Sequence, residues 1–279
     1  MLSAPVVAVV LFSAILHAGW NVAVRAGRDR RRETVLMIGG GVLVAAAVLP
    51  FLPFPPATAW PYLITSGLLN ALYYVLIAGA YAHGGVALAY PLMRGVAPML
   101  TLFAAWLLLG ETLPAAAWLG VATICAGVGL LARRRGVAGE ATAMRFALAN
   151  AVVIAGYTVN DAVGVRISQQ PLAYTLWLFP LSAVPALLWF HRATPVRWPS
   201  VGETARGIGG AAASIGAYSL VLWAMTRAPV APVAALRETA IVFGVVAARV
   251  VLGERPTRRG WGGAVAIAIG AAILRLAPG

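Results

Sequence analysis

Ten stretches of this chain are apolar over about 20 residues each: 4–24, 34–52, 60–82, 86–108, 115–132, 144–165, 171–190, 204–226, 230–252 and 258–276. A helix of that length rises about 30 Å, the thickness of a hydrocarbon core, and satisfies its own backbone hydrogen bonds along the way. The windows therefore predict an all-α integral membrane protein with ten spans. Composition agrees, because only 10% of the residues are charged and 61% are hydrophobic, where a soluble domain has about 25% charged residues. Connections are short and marked by Pro, Gly or Arg, as in "PFLPFPPATAWP", "AHGG", "GETLP" and "HRATPVRWPS". None is long enough for a soluble domain. The opening segment "MLSAPVVAVVLFSAILHAGW" lacks a basic leader, and its apolar run continues past any cleavage point, so it reads as a retained first span.

The formal charge of +13 would suggest nucleic acid in a soluble chain. Here the arginines, which supply every basic residue, cluster in the short connections, the pattern of a topology signal, so nucleic acid is not expected as a partner. Cys125 is the sole cysteine, which excludes an intrachain disulfide. His17, His83 and His191 lie on different spans without metal-ligand spacing, so neither metal nor cofactor is expected. There is no phosphate-binding loop of the Walker type to couple ATP. His17 and Asp161 could meet, yet no Ser-His or His-Glu motif supports catalysis, and the expectation is a protein that is not an enzyme.

A shift of 143 residues lays the fourth and fifth spans on the ninth and tenth without a gap. Arg94 falls on Arg237, Leu109-Gly110-Glu111 on Leu252-Gly253-Glu254, Trp118 on Trp261, Gly120 on Gly263 and Gly127 on Gly270. The first spans of the halves match more weakly, "AGWN" against "AGYT". Repeats with five spans each must be oppositely oriented, and the arginines carry that signature. Connection one to two holds Arg25, Arg28, Arg30, Arg31 and Arg32, whereas its counterpart, six to seven, holds Arg166 alone. Connections two to three and four to five have no basic residue, against Arg192, Arg197 and Arg206 in seven to eight and Arg255, Arg258 and Arg259 in nine to ten. The bias reverses between the halves, as inverted repeats require. The expected division is a first repeat at 1–135, a cytoplasmic linker at 136–143 and a second repeat at 144–279, with both termini facing outward.

Two five-span halves, "HAGWN" in the first span and Gly-Glu after the fourth span of each half resemble the drug/metabolite transporter superfamily, EamA type, over the whole chain. The resemblance implies a basket of ten helices around a central cavity lined by spans one, three, four, six, eight and nine. It also implies a multi-pass protein of a bacterial-type inner membrane, exporting amino acids, aromatic ones among them, or related small metabolites by alternating access. Alternatives within the same frame are a proton-coupled exporter of drugs or lipophilic cations and a lipid-carrier flippase. The expected partners are a small-molecule substrate and the bilayer, with a monomer as the working unit.

A charge near mid-membrane costs about 2.5–3.5 kcal/mol on insertion scales, so such residues face a partner or a wet cavity. Arg94 and Arg237 lie about eight residues into spans four and nine. Either could hold a substrate carboxylate or form an internal ion pair with Glu238, the acid that replaces Gly95 at the repeat-related position. Helical spacing groups further candidates: His17, Trp20 and Asn21 in span one; Asn70, Tyr73, Tyr74 and Tyr81 in span three; Tyr90 in span four; Tyr157, Asn160 and Asp161 in span six; Tyr218 in span eight. Together these substrate-binding candidates suggest a polar, aromatic cavity able to stack a ring or shelter a cation. Trp60, Trp106, Trp189 and Trp198 read as interfacial anchors. Glu111 and Glu254 read as hairpin residues, and Pro91 and Pro98 as interruptions of span four.

Overall fold

The computed structural model describes residues 2–26, 30–132, 138–191, 199–252 and 257–277; the side chains of 21–31, 34, 184–191, 248 and 251–252 are left aside as well. Among the expectations above, Asn21, Arg25, Trp189 and His191 as side chains, and Arg28, Arg192, Arg197, Trp198 and Gly253 to Arg255 altogether, lie outside what is described. The described residues are helical, without a strand. The helices are α1 (Ala4–Ala26), α2 (Arg30–Val48), α3 (Trp60–Gly84), α4 (Val86–Leu109), α5 (Ala115–Gly129), α6 (Glu140–Ser168), α7 (Pro171–His191), α8 (Val201–Met225), α9 (Val230–Arg237), α10 (Ala240–Leu252) and α11 (Arg258–Leu276). Two single 3-10 turns, Leu49–Phe51 and Ala57–Ala59, fill the connection before α3. Among the described residues six segments are long and apolar enough to cross a membrane, one of them running from Val230 through the α9–α10 junction to Ala247; Ala4–Trp20, Val35–Phe51 and Ala115–Gly129 are shorter apolar helices.

Helix ends follow local chemistry. Gly110 takes the left-handed conformation, φ 64°, that ends α4, and the Glu111 N–H returns to the Ala105 carbonyl. Ser200 and Glu203 form a reciprocal capping box at the start of α8. Pro114 and Pro229 precede α5 and α9, where a missing N–H costs nothing.

The stretch 230–252, expected as one continuous span, is instead two helices parted at Glu238 and Thr239. The hydrogen bonds tighten there: the Glu238 N–H donates to Ala235 O and the Thr239 N–H to Leu236 O, three residues back instead of four, and the Thr239 hydroxyl also donates to Leu236 O. Arg-Glu-Thr inside an apolar run breaks the regular ladder where its polar side chains find partners inside the bundle.

Packing follows a pattern of exchange between the halves. α3 lies on α6 as α1 lies on α8; α3 on α7 as α2 on α8; α4 on α6 as α1 on α10; α4 on α5 as α10 on α11. α5 and α11 pack antiparallel, with Gly127 against Gly263 and Gly120 against Gly270. A Cβ at Gly127 would sit 2.9 Å from the Gly263 carbonyl oxygen, and one at Gly270 would sit 2.7 Å from that of Gly120. Small residues let two apolar helices approach closely where no hydrophobic effect drives them together. The perimeter exposes Phe12, Phe103, Trp106, Leu107, Leu108 and Val250, a surface suited to lipid.

One end of the bundle gathers the starts of α2, α4, α6 and α8. There Arg32 pairs with Glu203 at 2.7 Å and Arg206 with Glu33 at 3.1 Å, and Gly139, at φ 94°, sits beside the His83 carbonyl. The other end carries the start of α1, the end of α11 and the α4–α5 and α8–α9 connections.

Candidate functional site

Four helices converge on a small, partly open space. α4 supplies Arg94, Ala97, Pro98 and Thr101; α6 supplies Ile154 and Thr158; α8 supplies Tyr218 and Met225; α9 and its break supply Ala234, Arg237 and Glu238. Its volume is about 20 Å³ as swept by the centre of a water-sized sphere, room for about one water. A metabolite therefore requires the surrounding helices to part.

Arg94 and Glu238 form a two-pronged ion pair, Nη2 to Oε1 at 2.8 Å and Nε to Oε2 at 3.0 Å, with 8% and 3% of each residue exposed. Planar guanidinium matches carboxylate in this geometry. The pair joins α4 of the first half to the α9–α10 break of the second. Of the two partners the sequence left open for Glu238, Arg94 is the one it meets. Glu238 keeps one lone-pair site on each oxygen.

Arg237 follows a different course. Its guanidinium carbon lies 5.2 Å from the centre of the Tyr218 ring, a cation–π distance. Among the described residues no acceptor makes a hydrogen bond or ion pair with it. Tyr218 in turn donates a short hydrogen bond to Asp161 Oδ2, while Tyr174 donates to Oδ1 at 3.1 Å. Asp161 is fully buried. Gly164 makes room for this arrangement, since a Cβ there would strike the Tyr174 hydroxyl.

The other candidates fall around this centre. His17 and Trp20 stack edge to face, 5.1 Å between ring centres, on the side of α1 toward Arg94 and Arg237; the buried Trp20 indole N–H has no acceptor among the described residues. Tyr73 meets Tyr74 at 5.4 Å and Tyr157 at 6.4 Å between ring centres. Tyr81 and Tyr73 pack against a smaller apolar cluster that includes Met93 and Ala97, and Tyr90 lies one turn from Arg94. Asn70 and Asn160 have structural partners: Asn70 Nδ2 donates to the Ser66 carbonyl at 2.9 Å, and Asn160 Nδ2 donates to Tyr62 O and Ser66 Oγ, both at 2.8 Å. Of the substrate-binding candidates, Arg94, Tyr218, Arg237 and Glu238 line the space, and Pro98, noted as an interruption of span four, lies beside them. The remaining wall, Thr101, Thr158 and Met225 included, gave no sequence signal, because single hydroxyls and methionines are ordinary in membrane helices. Tyr174 was also missed; its spacing of 13 from Asp161 is not a helical neighbour distance and crosses the α6–α7 connection.

A second polar cluster closes the termini end. Arg166, near the end of α6, donates through Nε to Met225 O at 2.8 Å and through Nη2 to Ala228 O at 3.1 Å and Glu111 Oε1 at 2.8 Å. Glu111 Oε2 accepts the Val230 N–H at 2.8 Å. Glu111 thus does more than shape a hairpin: it joins the end of α4 to the end of α6 and the start of α9. Among the described residues no group of three His, Cys, Asp or Glu could hold a metal ion.

Comparison with known proteins agrees with this architecture. A solved structure described as "Crystal structure of protein" superposes with a TM-score of 0.77, covering 99% of both chains at 21% identity, a likeness of fold alone. An uncharacterized transporter, YwfM of Bacillus subtilis (strain 168), is 26% identical over 256 residues, spanning 87% of this chain and 82% of its own length. The EamA-like transporter family matches twice, at residues 4–133 and 141–276. With both halves matched, this multi-pass membrane transporter belongs to the EamA-like transporter family.

Proposed function

We propose that the protein is a secondary transporter of a bacterial-type inner membrane that exports amino acids, aromatic ones among them, or related small carboxylate-bearing metabolites by alternating access between two inverted five-span repeats. The observation that carries the substrate reading is Arg237. It lies on the wall of the partly open space, at a break in its helix, with its charge unspent on any acceptor among the described residues. Arg94, its repeat counterpart, is already neutralised by Glu238. A half-buried cation without a contact anion bears part of the desolvation cost, and a substrate carboxylate that docks on it offsets that cost. The Trp20 N–H is a further donor with no acceptor among the described residues, and the lone pairs left on Glu238 suit an ammonium group. Interrupted spans near mid-membrane are a recurrent way for transporters to present polar groups to substrate.

The mutual exchange of helix pairings and the antiparallel α5–α11 contact support inverted repeats, and the arginine bias supports a cytoplasmic linker with both termini outside. The Tyr218 ring on the wall supports a substrate with a ring, and on its own would also suit a lipophilic cation; Arg237, which has no acceptor among the described residues, weighs against that second reading.

The test is exchange and efflux in proteoliposomes against an amino-acid panel, with Arg94→Gln, Arg237→Gln and Glu238→Gln compared as folded proteins. Arg237→Gln should weaken an amino acid at least tenfold more than its decarboxylated amine, a carboxylate–arginine pair being worth about 1.5–3 kcal/mol. Equal weakening of acid and amine sinks the carboxylate reading.

A further inference from the structure

We propose that a carboxylate binding at Arg237 is accompanied by uptake of one proton at Asp161, so that the carboxylate and the proton travel together. The inference rests on the reading of Arg237 as the carboxylate site.

Charge counting inside the bundle leads to it. The wall holds two arginines, Arg94 and Arg237, and one carboxylate, Glu238; a second carboxylate, Asp161, lies behind it on the Tyr218 hydroxyl. Arg94 and Glu238 are in direct contact. Arg237 and Asp161 are not: they sit on the face and the hydroxyl of one ring, that of Tyr218, and balance each other across it. When a substrate carboxylate docks on Arg237, that guanidinium is neutralised at close range. Asp161, which no cation touches among the described residues, is then a fully buried anion while the cation across the Tyr218 ring is engaged by the substrate. The groups that face it are uncharged: Ser66 and Tyr62 from α3, Tyr174 from α7, Tyr218 from α8, and Tyr157 and Asn160 of its own helix. From α4 the nearest charge, Arg94, is committed to Glu238. An uncompensated charge in a low-dielectric interior neutralises sooner than it stays.

Asp161 is built to accept that proton. Both of its oxygens meet phenol hydroxyls, and a phenol that donates to a carboxylate can turn and accept from the neutral acid. Glu238 is less able to, because each of its oxygens holds an Arg94 nitrogen. His17 faces the two arginines, where added positive charge meets like charge. The proton comes from hydronium or a protonated buffer molecule in bulk water, whose bond to hydrogen breaks as one O–H bond forms at Asp161; no other bond changes. A zwitterionic substrate alters the count, since its own ammonium supplies the missing cation and no proton is required.

The experiment uses the purified full-length chain in detergent with two probes that differ by one amino group, 3-phenylpropionate and phenylalanine. Binding isotherms and proton uptake in weak buffer are measured across the neutral range. For 3-phenylpropionate the expected uptake is close to one proton per molecule bound. Because the bound form then holds more protons than the free form, affinity rises as pH falls, by about tenfold per pH unit. For phenylalanine both effects should be near zero. Asp161→Asn should bind 3-phenylpropionate with no uptake and no pH dependence. Should that variant not fold, the contrast between the two probes on the parent protein decides the matter. Binding of 3-phenylpropionate without proton uptake overturns the proposal, as does uptake that survives Asp161→Asn or disappears in His17→Gln instead. The underlying reading fails separately, whatever the proton count, if neither probe binds or if Arg237→Gln leaves both affinities unchanged.

Discussion

At the scale of single residues, the two arginines that occupy equivalent places in the repeat have unequal surroundings, and one acid causes the difference. Glu238 satisfies Arg94 with both oxygens, so removing either partner leaves a buried charge alone. Arg94→Gln and Glu238→Gln should each destabilise the protein by about 3–5 kcal/mol, whereas the double replacement Arg94→Met with Glu238→Leu should recover most of that loss. Thermal unfolding of the purified variants measures it; a double variant no more stable than the singles would mean that the pair fixes the packing in a way its volume alone cannot. Charge placement made these residues visible in the sequence, since an arginine or glutamate deep in an apolar window has few harmless explanations. Which of them pair was not legible. Glu238 follows Arg237 directly, yet successive residues point to different faces of a helix, and its partner comes from a span 144 positions away. For the same reason the tyrosines around Asp161, contributed by α7 and α8, could not be assembled from spacing.

At the scale of elements, hydropathy marks where apolar segments lie because each must cover a hydrocarbon thickness, and the bounds of α3, α4 and α7 fall within two residues of the apolar windows. What hydropathy averages away is the interruption in 230–252, where three adjacent polar residues, Arg237 to Thr239, are lost in a long apolar run. Glycine positions carried more than the repeat pattern showed. Gly120, Gly127, Gly263 and Gly270, noticed because they superimpose under the shift, turn out to be the contact between the two copies of that element, α5 and α11. Gly127→Ala should therefore destabilise by about 1–3 kcal/mol, because the added methyl meets the Gly263 carbonyl at 2.9 Å and backbone cannot yield as a side chain can. Gly262→Ala, one residue along α11 and with open space around its Cβ, should be neutral or stabilising by up to about 1 kcal/mol through helix propensity. Comparing the two midpoints of unfolding tests the contact; equal effects would mean that the α5–α11 contact tolerates separation.

At the scale of the whole molecule, duplication was legible in the sequence, but the tie across the termini end was not, because it draws on three connections. Arg166 and Glu111 bind the ends of α4, α6 and α8 to the start of α9 at the termini end, and any passage there must break them. Charge-assisted hydrogen bonds are worth about 1.5–3 kcal/mol each, so losing one shifts an open–closed balance by about tenfold or more. Glu111→Gln keeps an acceptor for the Val230 N–H and removes the ionic bond, which should favour the form open at that end. Cys125 is the sole cysteine, so a Cys125→Ser background leaves one reporter thiol, placed as Ala234→Cys on the wall of the partly open space. An impermeant maleimide added outside intact cells should label that thiol several-fold faster when Glu111→Gln is present, since the termini end is expected to face outward. A reporter fused to the C-terminus fixes the orientation independently. If the fusion reports outside and Glu111→Gln still leaves labelling unchanged, the network is a strut and the gate lies elsewhere; if the fusion reports inside, the same acceleration should appear only in inverted vesicles.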